Sequence, residues 1–501
     1  MTKLAGTKFT LGQDFRVTDR QVIELSQSAT GSVSVLDYGA KGDGVADDTA
    51  AIQAAIASLG AAGGRVEIPS GMRCLIDSNL TVNANVTLEG PHAIVGSPNN
   101  NTSAPYGSVG GALLVNSSAT ITLKGGAALQ GLLIYRKGMT FPAADSSAFA
   151  GAAVTIGGDD AAVFQCMILG FAQAITSSGW QRPRIYDCNI DCGSGILINN
   201  CADIVYLNKV HCWPFATIAA GGGASSLQRG GTAFKFTNLN DWSKVTDCFS
   251  YGYFRGYWNS GANSMTFSGC GADNTGSHTG SIGFLIESAG VSGGEDTRLI
   301  GCQAAAQENG YYINTVAGIQ TRLIGSDLWG CTNHGVLINA GDVHVIGGVF
   351  RDVPNAITVN NGTSQSYVDE VRFDNNIGLP VNVTVSNSSV HIGLNNNYAG
   401  FSDGAVVTSN TYRVVRSVTS ADPLNLPVNG DFFQVTGNTN FGTLNGGWSG
   451  RRVTLKFTGT PTVLDGGASM KLNGNFAASV NATLTLVHDG VAWCETSRST
   501  N

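Results

Sequence analysis

The sequence predicts an all-β protein whose main part is a parallel β-solenoid, and three observations indicate this fold. Glycine contributes 67 of 501 residues and only 13% of residues are charged, which is typical of short strands joined by tight turns. Strand-like segments recur every 20–25 residues or so without a helical pattern between them. The recurring segments resemble one another and read FQCMILGF, IYDCNIDC, VYLNKVHC, VTDCFSYG, MTFSGCGA, RLIGCQAA, RLIGSDLWGC and HVIGGVF.

The start of the solenoid is expected to carry a helical cap. Residues 35–56, VLDYGAKGDGVADDTAAIQAAI, predict a strand, a glycine-rich loop and a short amphipathic helix over 48–59. Asp47 or Asp48 is the natural N-cap, because its carboxylate can accept the free amides of the first turn. The glycines match neither a phosphate-binding loop nor a dinucleotide fingerprint. We therefore expect the helix to cover the open hydrophobic end of the first coil.

Three domains follow from the changes in pattern. Residues 1–32 are polar and predict an N-terminal connector, 33–405 predict the solenoid, and 406–501 predict a small C-terminal β-sandwich from the alternation in RVTLKF and ATLTLVHDGVAWCE. Most of the 11 cysteines lie in strand-like contexts, which predicts buried, reduced thiols. Cys188 and Cys192 are too far apart along a strand to share a zinc ion, and we predict no metal and no cofactor.

Charge and hydropathy exclude two classes of partner. The net charge is −7 and no long basic run is present, so nucleic acid is not an expected partner. No apolar run reaches about 18 residues, so we expect no membrane insertion. The first residues, MTKLAGTKFTLGQDFRV, lack the apolar core of a secretory signal. We therefore expect that the protein leaves its cell by another route, such as lysis, or that a leader has been removed.

The opening stretch carries a family resemblance. Together with GGRVEIPSG and LTVNANVTLEG, it is similar to the start of the pectate-lyase-like right-handed β-helix superfamily, which includes bacteriophage tailspikes. The last segment resembles the small C-terminal domain of many tailspikes, which trimerises the chains or binds sugar. The resemblance implies a right-handed helix and a homotrimer attached through its N-terminus to other phage tail proteins. It also implies a virion tail location, with assembly in the host cytoplasm and action at the host cell surface.

Three functions remain open on the residues. The resemblance implies a tailspike depolymerase that binds and cuts a bacterial capsule or O-antigen internally, and paired carboxylates favour hydrolysis over elimination. A polysaccharide lyase, as a tailspike or as a free bacterial enzyme, is the first alternative. The second is a receptor-binding spike without catalysis, because a fold does not determine a function.

The candidate catalytic residues are carboxylates, which are concentrated between residues 241 and 352. Asp273 in ADNTG and Glu308 in AQENG occupy similar places on successive coils. If the register holds, their carboxylates lie one coil apart, within about 5–8 Å, which suits a glycosidase pair. The same zone supplies four further candidates, which are Asp327, Asp247, Glu295 and Asp296.

The candidate substrate-binding residues lie in the same zone. The run YGYFRGYW predicts a sugar platform, since aromatic rings combine an apolar face with polar edges. The residues chosen here are Arg255, Tyr253, Tyr257, Trp258, Trp329 and His278. Neither the aspartate, GHG and RIK set of polygalacturonases nor the calcium-binding aspartates of extracellular pectate lyases is recognisable, so no catalytic residue is transferred by motif.

Overall fold

The structure is a computed structural model that divides into two compact units, Met1–Thr411 and Tyr412–Asn501. It describes residues 31–91, 110–218, 221, 223–288, 296–316, 318–360, 365–375, 380–384, 389–393, 395–399, 416–427, 430–466 and 469–500. Most of the predicted connector, residues 1–30, therefore lies outside the described residues.

Three long parallel sheets form the first unit. Sheet 1 contains Ser32–Ser34, Gly64–Glu67, Val86–Glu89, Ala128–Gln130, Ala162–Phe164, Arg184–Tyr186, Tyr206–Asn208, Lys244–Thr246, Thr266–Ser268, Thr297–Ile300, Gln320–Ile324, Asp342–Ile346, Gln365–Asp369 and Ser389–Ile392. Sheet 2 contains Asp43–Asp47, Arg73–Ile76, Gly111–Val115, Leu132–Arg136, Met167–Leu169, Asn189–Asp191, His211–Cys212, Phe249–Tyr251, Gly271–Asp273, Gln303–Ala305, Asp327–Trp329, Val349–Arg351, Arg372–Asp374 and Asn397–Ala399. Sheet 3 contains Leu80–Val82, Ile121–Leu123, Ala152–Ile156, Gln173–Ser178, Ser194–Asn199, Arg229–Thr237, Tyr253–Ser260, Ile282–Glu287, Asn309–Asn314, His334–Ala340, Asn355–Val359 and Val381–Val383.

The chain visits the sheets in the order 1, 2, 3 on each complete coil, and each strand pairs in parallel with its equivalents on the neighbouring coils. Leu299, for example, pairs with Leu323 one coil later. This arrangement confirms the all-β, right-handed parallel β-helix that the sequence predicts. In the described part of the chain, no helix has the length and apolar character needed to cross a membrane.

The corner between sheets 1 and 2 explains where the cysteines lie. Most coils turn there through one residue with positive φ, such as Asp187 at 52° and Lys209 at 54°. The following residue points inward and is often cysteine, as at Cys188, Cys248 and Cys270. Ten of the 11 cysteines are buried, none is in a disulfide, and they fill the interior as small apolar side chains.

An aromatic stack fills the interior beside sheet 3. Phe234, Tyr257, Phe284 and Tyr311 lie on successive coils, with ring centroids 4.8, 4.5 and 5.1 Å apart. The Tyr257 hydroxyl donates across the interior to the backbone oxygen of Cys248 at 2.6 Å. Coil stacking therefore converts single aromatic residues, far apart in sequence, into a continuous core ladder.

The expected cap is present as the helix Thr49–Ser58, flanked by the short 3₁₀ helices Val35–Tyr38 and Gly60–Ala62. Ile52 and Ile56 are fully buried in the solenoid core. Asp48 precedes the helix, but its carboxylate accepts the backbone N–H groups of the glycine-rich loop, at 2.6 Å from Lys41. Asp47 instead accepts the Thr49 N–H at 3.0 Å. The two aspartates thus divide loop fixation and helix capping between them.

The second unit has strands and no described helix. A six-stranded sheet contains Arg416–Thr419, Phe432–Thr436, Arg452–Phe457, Thr483–His488, Trp493–Ser499 and Met470–Lys471, and two small sheets pair Leu424–Asn425 with Leu444–Asn445 and Thr462–Val463 with Phe476–Ala477. The early strands pair in parallel and the last two long strands pair antiparallel. A small C-terminal β unit is confirmed; strand alternation alone did not indicate the parallel pairing.

Candidate functional site

The outer face of sheet 2 brings aromatic, carboxylate and amide side chains together. Ala272 is 1% exposed and faces the core, so its neighbours Gly271 and Asp273 face outward. Tyr251 pairs with Asp273 on the adjacent strand. Along the second outward row, Gly271 pairs with Gln303 and Gln303 with Asp327. We call this face, over the strands from His211–Cys212 to Val349–Arg351, the sheet 2 platform.

Aromatic rings cluster at one end of the sheet 2 platform. Trp213 lies 4.6 Å from Tyr251 and 6.4 Å from Phe249 between ring centroids. His211 contacts Phe249 at 5.5 Å, and burial lowers the pKa of His211, so its imidazole is neutral at pH 7. The buried Trp213 Nε1–H has no partner in the described structure. This end therefore offers apolar rings on which a pyranose face can pack.

A pocket of about 440 Å³ opens beside these rings. It is lined by Lys209, Val210, His211, Trp213, Asp247 and Phe249. Asp247 is exposed at the rim and adopts the positive φ of the corner residues, 52°. From this position Asp247 can contact a ligand hydroxyl in the pocket. It lies several residues along the coil from the register positions of the other candidate acids.

Asp273 lies half-buried next to the aromatic cluster. Desolvation raises the pKa of Asp273, although the backbone N–H of Asn274 donates to its Oδ1 at 2.7 Å and opposes the shift. Burial also raises the pKa of Tyr251, and the Asp273 charge adds to that increase. A carboxyl group with a raised pKa beside aromatic rings has the properties of a general acid.

Asp327 is the second carboxylate on the sheet 2 platform. Its Oδ1 accepts the Val349 N–H at 2.8 Å, which fixes the side chain and leaves the other oxygen available. The register places it two coils and two residues from Asp273, which gives roughly 12 Å between the α-carbons at about 4.8 Å per coil and about 3.3 Å per residue. The side chains can bring the two carboxyl groups closer together than the α-carbons. The distance between the carboxyl groups can then match that of inverting glycosidases, which is wider than that of retaining ones.

Glu308 does not lie on the same sheet face as Asp273, because it belongs to the turn between sheets 2 and 3. Continuing the pairing of Ala272 with Ala304 puts Ala305 opposite Asp273, so Glu308 is three residues further along, a larger offset than the sequence suggested. Its Oε2 accepts the Gly280 N–H at 2.6 Å, and Ser281 Oγ accepts the Glu308 N–H at 3.0 Å. Glu308 thereby holds the end of the segment 274–281.

The remaining acidic candidates are distributed elsewhere. Asp296 pairs with Arg298 and, at 3.4 Å, with Arg322 on the sheet 1 side, so its charge is already used in the fold. Glu295 lies outside the described residues. Within those residues, no group of three or more His, Cys, Asp or Glu side chains has an arrangement that could hold a metal ion.

Two predicted substrate contacts are wrong. Tyr253 is 1% and Tyr257 0% exposed, and the Tyr253 hydroxyl donates to the backbone oxygen of Cys192 at 3.0 Å inside the helix. Both rings belong to the core, where an outer ligand cannot contact them. Trp213 and Tyr251 do face outward on the platform. Trp213 was missed, and Tyr251 begins the predicted aromatic run but was not among the residues chosen from it. Their signal was the outward position in the coils VYLNKVHCW and VTDCFSY.

The other predicted contacts occupy two faces. Trp329 is 43% exposed on the sheet 2 platform, with the Arg351 guanidinium 5.9 Å from its ring centroid. Trp258 and Arg255 lie on the outer face of sheet 3 instead. His278 belongs to the segment 274–281 and packs 5.5 Å from Phe254, where burial lowers the pKa of the imidazole.

A buried ion pair anchors the long segment 213–228 at the aromatic end of the platform. Asp191 and Arg229 are both fully buried, with Nε 2.7 Å from Oδ1. Asp191 Oδ2 also accepts the Ala216 N–H at 2.7 Å, and Arg229 donates to the Ser226 oxygen at 3.0 Å. The pair therefore links both halves of the segment to the strand Asn189–Asp191.

Comparisons with known proteins agree with this architecture. Residues 32–141 match the model of the family described as rhamnogalacturonase A/epimerase, pectate lyase-like. No curated relative matches the sequence. The tailspike of Escherichia coli bacteriophage HK620, solved with a pentasaccharide, is 12% identical and aligns over 93% of this chain and 92% of that chain with a TM-score of 0.51.

Two further solved structures have lower scores. The tailspike of Acinetobacter phage vb_AbaP_AS12 is 13% identical over 94% of this chain and 82% of that chain, with a TM-score of 0.40. The GH87 α-1,3-glucanase from Streptomyces thermodiastaticus is 15% identical over 76% and 68%, with a TM-score of 0.41. The first unit of this chain is a right-handed parallel β-helix, a fold it shares with the HK620 tailspike, and its residues 32–141 are similar to the pectate-lyase-like family.

Proposed function

We propose that the chain is a phage tailspike that binds a bacterial capsule or O-antigen and cuts it internally on the sheet 2 platform. The observation that carries this proposal is the half-buried Asp273, whose pKa is raised by desolvation, beside Tyr251 and Trp213. The HK620 tailspike was solved with a pentasaccharide, which supports a polysaccharide as the ligand of this chain. An open sheet face several coils long suits binding within a chain rather than only at its end.

The proposed reaction is hydrolysis with inversion. Protonated Asp273 donates its proton to the glycosidic oxygen, and the bond from that oxygen to the anomeric carbon breaks. Asp327 takes a proton from water, whose oxygen bonds to the anomeric carbon from the opposite face. The wide spacing of the two residues leaves room for that water, as inverting enzymes require.

Each aromatic residue has a proposed place on the polymer. Trp213 and Tyr251 stack on sugar units on one side of the scissile bond, and Trp329 stacks on the other side. Ala305, a small residue paired with Trp329 and placed opposite Asp273 by the register, gives the sugar ring space to approach Asp273. Glu308 acts as a positioning residue through the segment 274–281.

The assembly is proposed from the resemblance and the fold. Three chains form the spike, residues 1–32 attach it to other tail proteins, 33–405 form the polysaccharide-binding helix, and 406–501 form the trimerising or sugar-binding domain. The protein would then be assembled in the host cytoplasm and act at the host surface as part of the virion tail. Sedimentation of the whole chain, with and without residues 1–32, tests the oligomer and the connector separately.

Incubation with purified capsules and O-antigens from a panel of bacteria tests the proposed activity. New reducing ends without ultraviolet absorbance from an unsaturated uronate support hydrolysis. Absorbance of that product instead identifies elimination, for which neutral His278 would be the base to examine. Retained binding without any cleavage by the wild type identifies a receptor-binding spike and contradicts the catalytic assignment of Asp273.

A further inference from the structure

The outer face of sheet 3 carries two cations around one indole ring. The Lys235 ammonium lies 3.9 Å and the Arg255 guanidinium carbon 4.4 Å from the Trp258 ring centroid. Lys235 and Trp258 are paired residues on adjacent strands, so the two positive groups are held together by the sheet register. We call Lys235, Arg255 and Trp258 the cation cluster.

The cation cluster is only partly neutralised by its neighbours. Glu287 is the adjacent acid; its Oε2 accepts the Trp258 Nε1–H at 2.8 Å, and its negative charge stabilises the Lys235 ammonium. Among the described residues, no carboxylate forms an ion pair with Lys235 or Arg255. Two half-buried cations beside one acid leave a local excess of positive charge, and each cation destabilises the other.

The Arg255 guanidinium also has unused hydrogen-bonding capacity. Its Nε is buried and has no acceptor in the described structure. Planar guanidinium groups bind carboxylate and phosphate oxygens through two parallel N–H donors. Burial and the nearby Arg255 lower the pKa of Lys235, and the charge of Glu287 opposes that shift, as expected where two cations share one acid. A bound anion would balance the remaining positive charge.

We propose that the cation cluster is an anion-binding site for an acidic saccharide, separate from the sheet 2 platform. The shared chemistry is an oxyanion on a sugar, either a uronate-type carboxylate or a phosphate or sulfate substituent. Arg255 supplies the fork, Lys235 the second positive charge, and Trp258 holds both in place. The site gives the proposed polysaccharide a second point of attachment that needs no bond cleavage.

Titration calorimetry on the full chain tests this site with trigalacturonate, glucose 6-phosphate and neutral maltotriose at low ionic strength. Using Asp273→Asn protein keeps the measurement independent of cleavage. We expect Lys235→Met and Arg255→Met each to weaken binding of an anionic probe about tenfold, which corresponds to one lost charge-assisted contact. Arg255→Lys should weaken it less, since it keeps the charge and loses the fork. The two anionic probes distinguish a carboxylate site from a phosphate site.

Lys244→Met is the matched control, because Lys244 also lies over an indole, 5.8 Å from Trp242, but without a second cation. It should bind anions as the parent does. Equal affinity in all variants, equal binding of maltotriose, or no binding of either anionic probe would overturn the proposal. A changed oligomeric state in the Lys235 and Arg255 variants, with unchanged anion affinity, would assign the cluster to contact between copies of the chain.

Discussion

Tyr251 and Asp273 lie opposite each other on adjacent strands of sheet 2, and both groups have raised pKa values for the same reason. Burial on the outer face of the sheet disfavours the charged form of each, and the two negative charges would disfavour one another. Tyr251 therefore stays a neutral phenol near pH 7. Both side chains retain their protons to a higher pH than usual at this place on the platform.

Replacing Asp273 with Asn should abolish most of the proposed cleavage while leaving binding intact. The loss of a general acid typically lowers the rate by about 10²- to 10⁴-fold, so kcat should fall and the affinity for the polymer should change little. Reducing-end kinetics and binding to the intact polymer measure the two effects. Asp374→Asn is the control, since Asp374 is an outward aspartate of sheet 2 paired in register with Arg351. Comparable loss in both variants would contradict the assignment.

The same substitution should change how stability depends on pH. The folded pKa of Asp273 is raised above the ordinary value of 3.8, so the native state binds its proton more tightly than the unfolded state. Its effect on stability is fully favourable below the unfolded pKa and is lost as pH rises through the folded pKa. Asp273→Asn should therefore raise Tm relative to wild type at neutral pH, and the difference should shrink towards pH 3. A pH-independent difference between the two melting curves would refute this account.

The fold could be predicted because its causes are repeated along the chain. Each coil has its own inward Val, Ile, Leu or Cys and its own corner residue, so a period is visible without knowing any long-range contact. The cap was recognisable because Ile52 and Ile56 follow a helical spacing. The parallel start of the second unit was not, because alternation of polar and apolar residues is the same for parallel and antiparallel strands.

The candidate site could be predicted only in part, because it depends on register between coils. Asp273 was chosen as a candidate from the sequence, but the inserted residues up to 228 lie between Trp213 and Tyr251 and hide their contact in the sequence. In YGYFRGYW, the neighbouring strand shifts register between Arg229 and Thr232. The local pattern therefore does not show which aromatic side chains face inward. The aromatic stack on four successive coils does.

Truncating Tyr257 should destabilise the fold and leave ligand contacts unchanged. Tyr257→Ala removes a fully buried ring between Phe234 and Phe284 and should cost about 3–5 kcal/mol, as for other large core truncations. Tyr257→Phe keeps the ring, loses only the contacts of the hydroxyl with the backbone oxygens of Cys248 and Gly271, and should cost about 1 kcal/mol. Denaturant unfolding checks both, and unchanged polysaccharide affinity of Tyr257→Phe separates a core role from the substrate contact first expected.

Trp213→Ala and Trp329→Ala should weaken polymer binding from the two sides of Asp273. Loss of one stacking ring should raise Kd about tenfold, or about 1.4 kcal/mol, and both variants should melt near the wild-type temperature if the strands keep their pairing. Trp448→Ala is the control, because this tryptophan is 50% exposed in the second unit. An effect confined to Trp448 would move binding to that unit.

Breaking the ion pair of Asp191 and Arg229 should be far more costly than its replacement by apolar residues. Either Asp191→Asn or Arg229→Met leaves one fully buried charge without its partner and should cost about 3–5 kcal/mol. The double change to Leu and Met removes both charges and should cost clearly less, with a remaining cost from the backbone groups that the pair now satisfies. Lys137→Met removes the exposed contact between Lys137 and Asp77 and should have little effect, since exposed pairs are hydrated and screened. Denaturant unfolding gives the three comparisons.

Because the ion pair of Asp191 and Arg229 holds both halves of the segment 213–228, the single variants should also lose polymer affinity at temperatures where the helix remains folded. Full affinity in a destabilised single variant would show that the segment does not position Trp213.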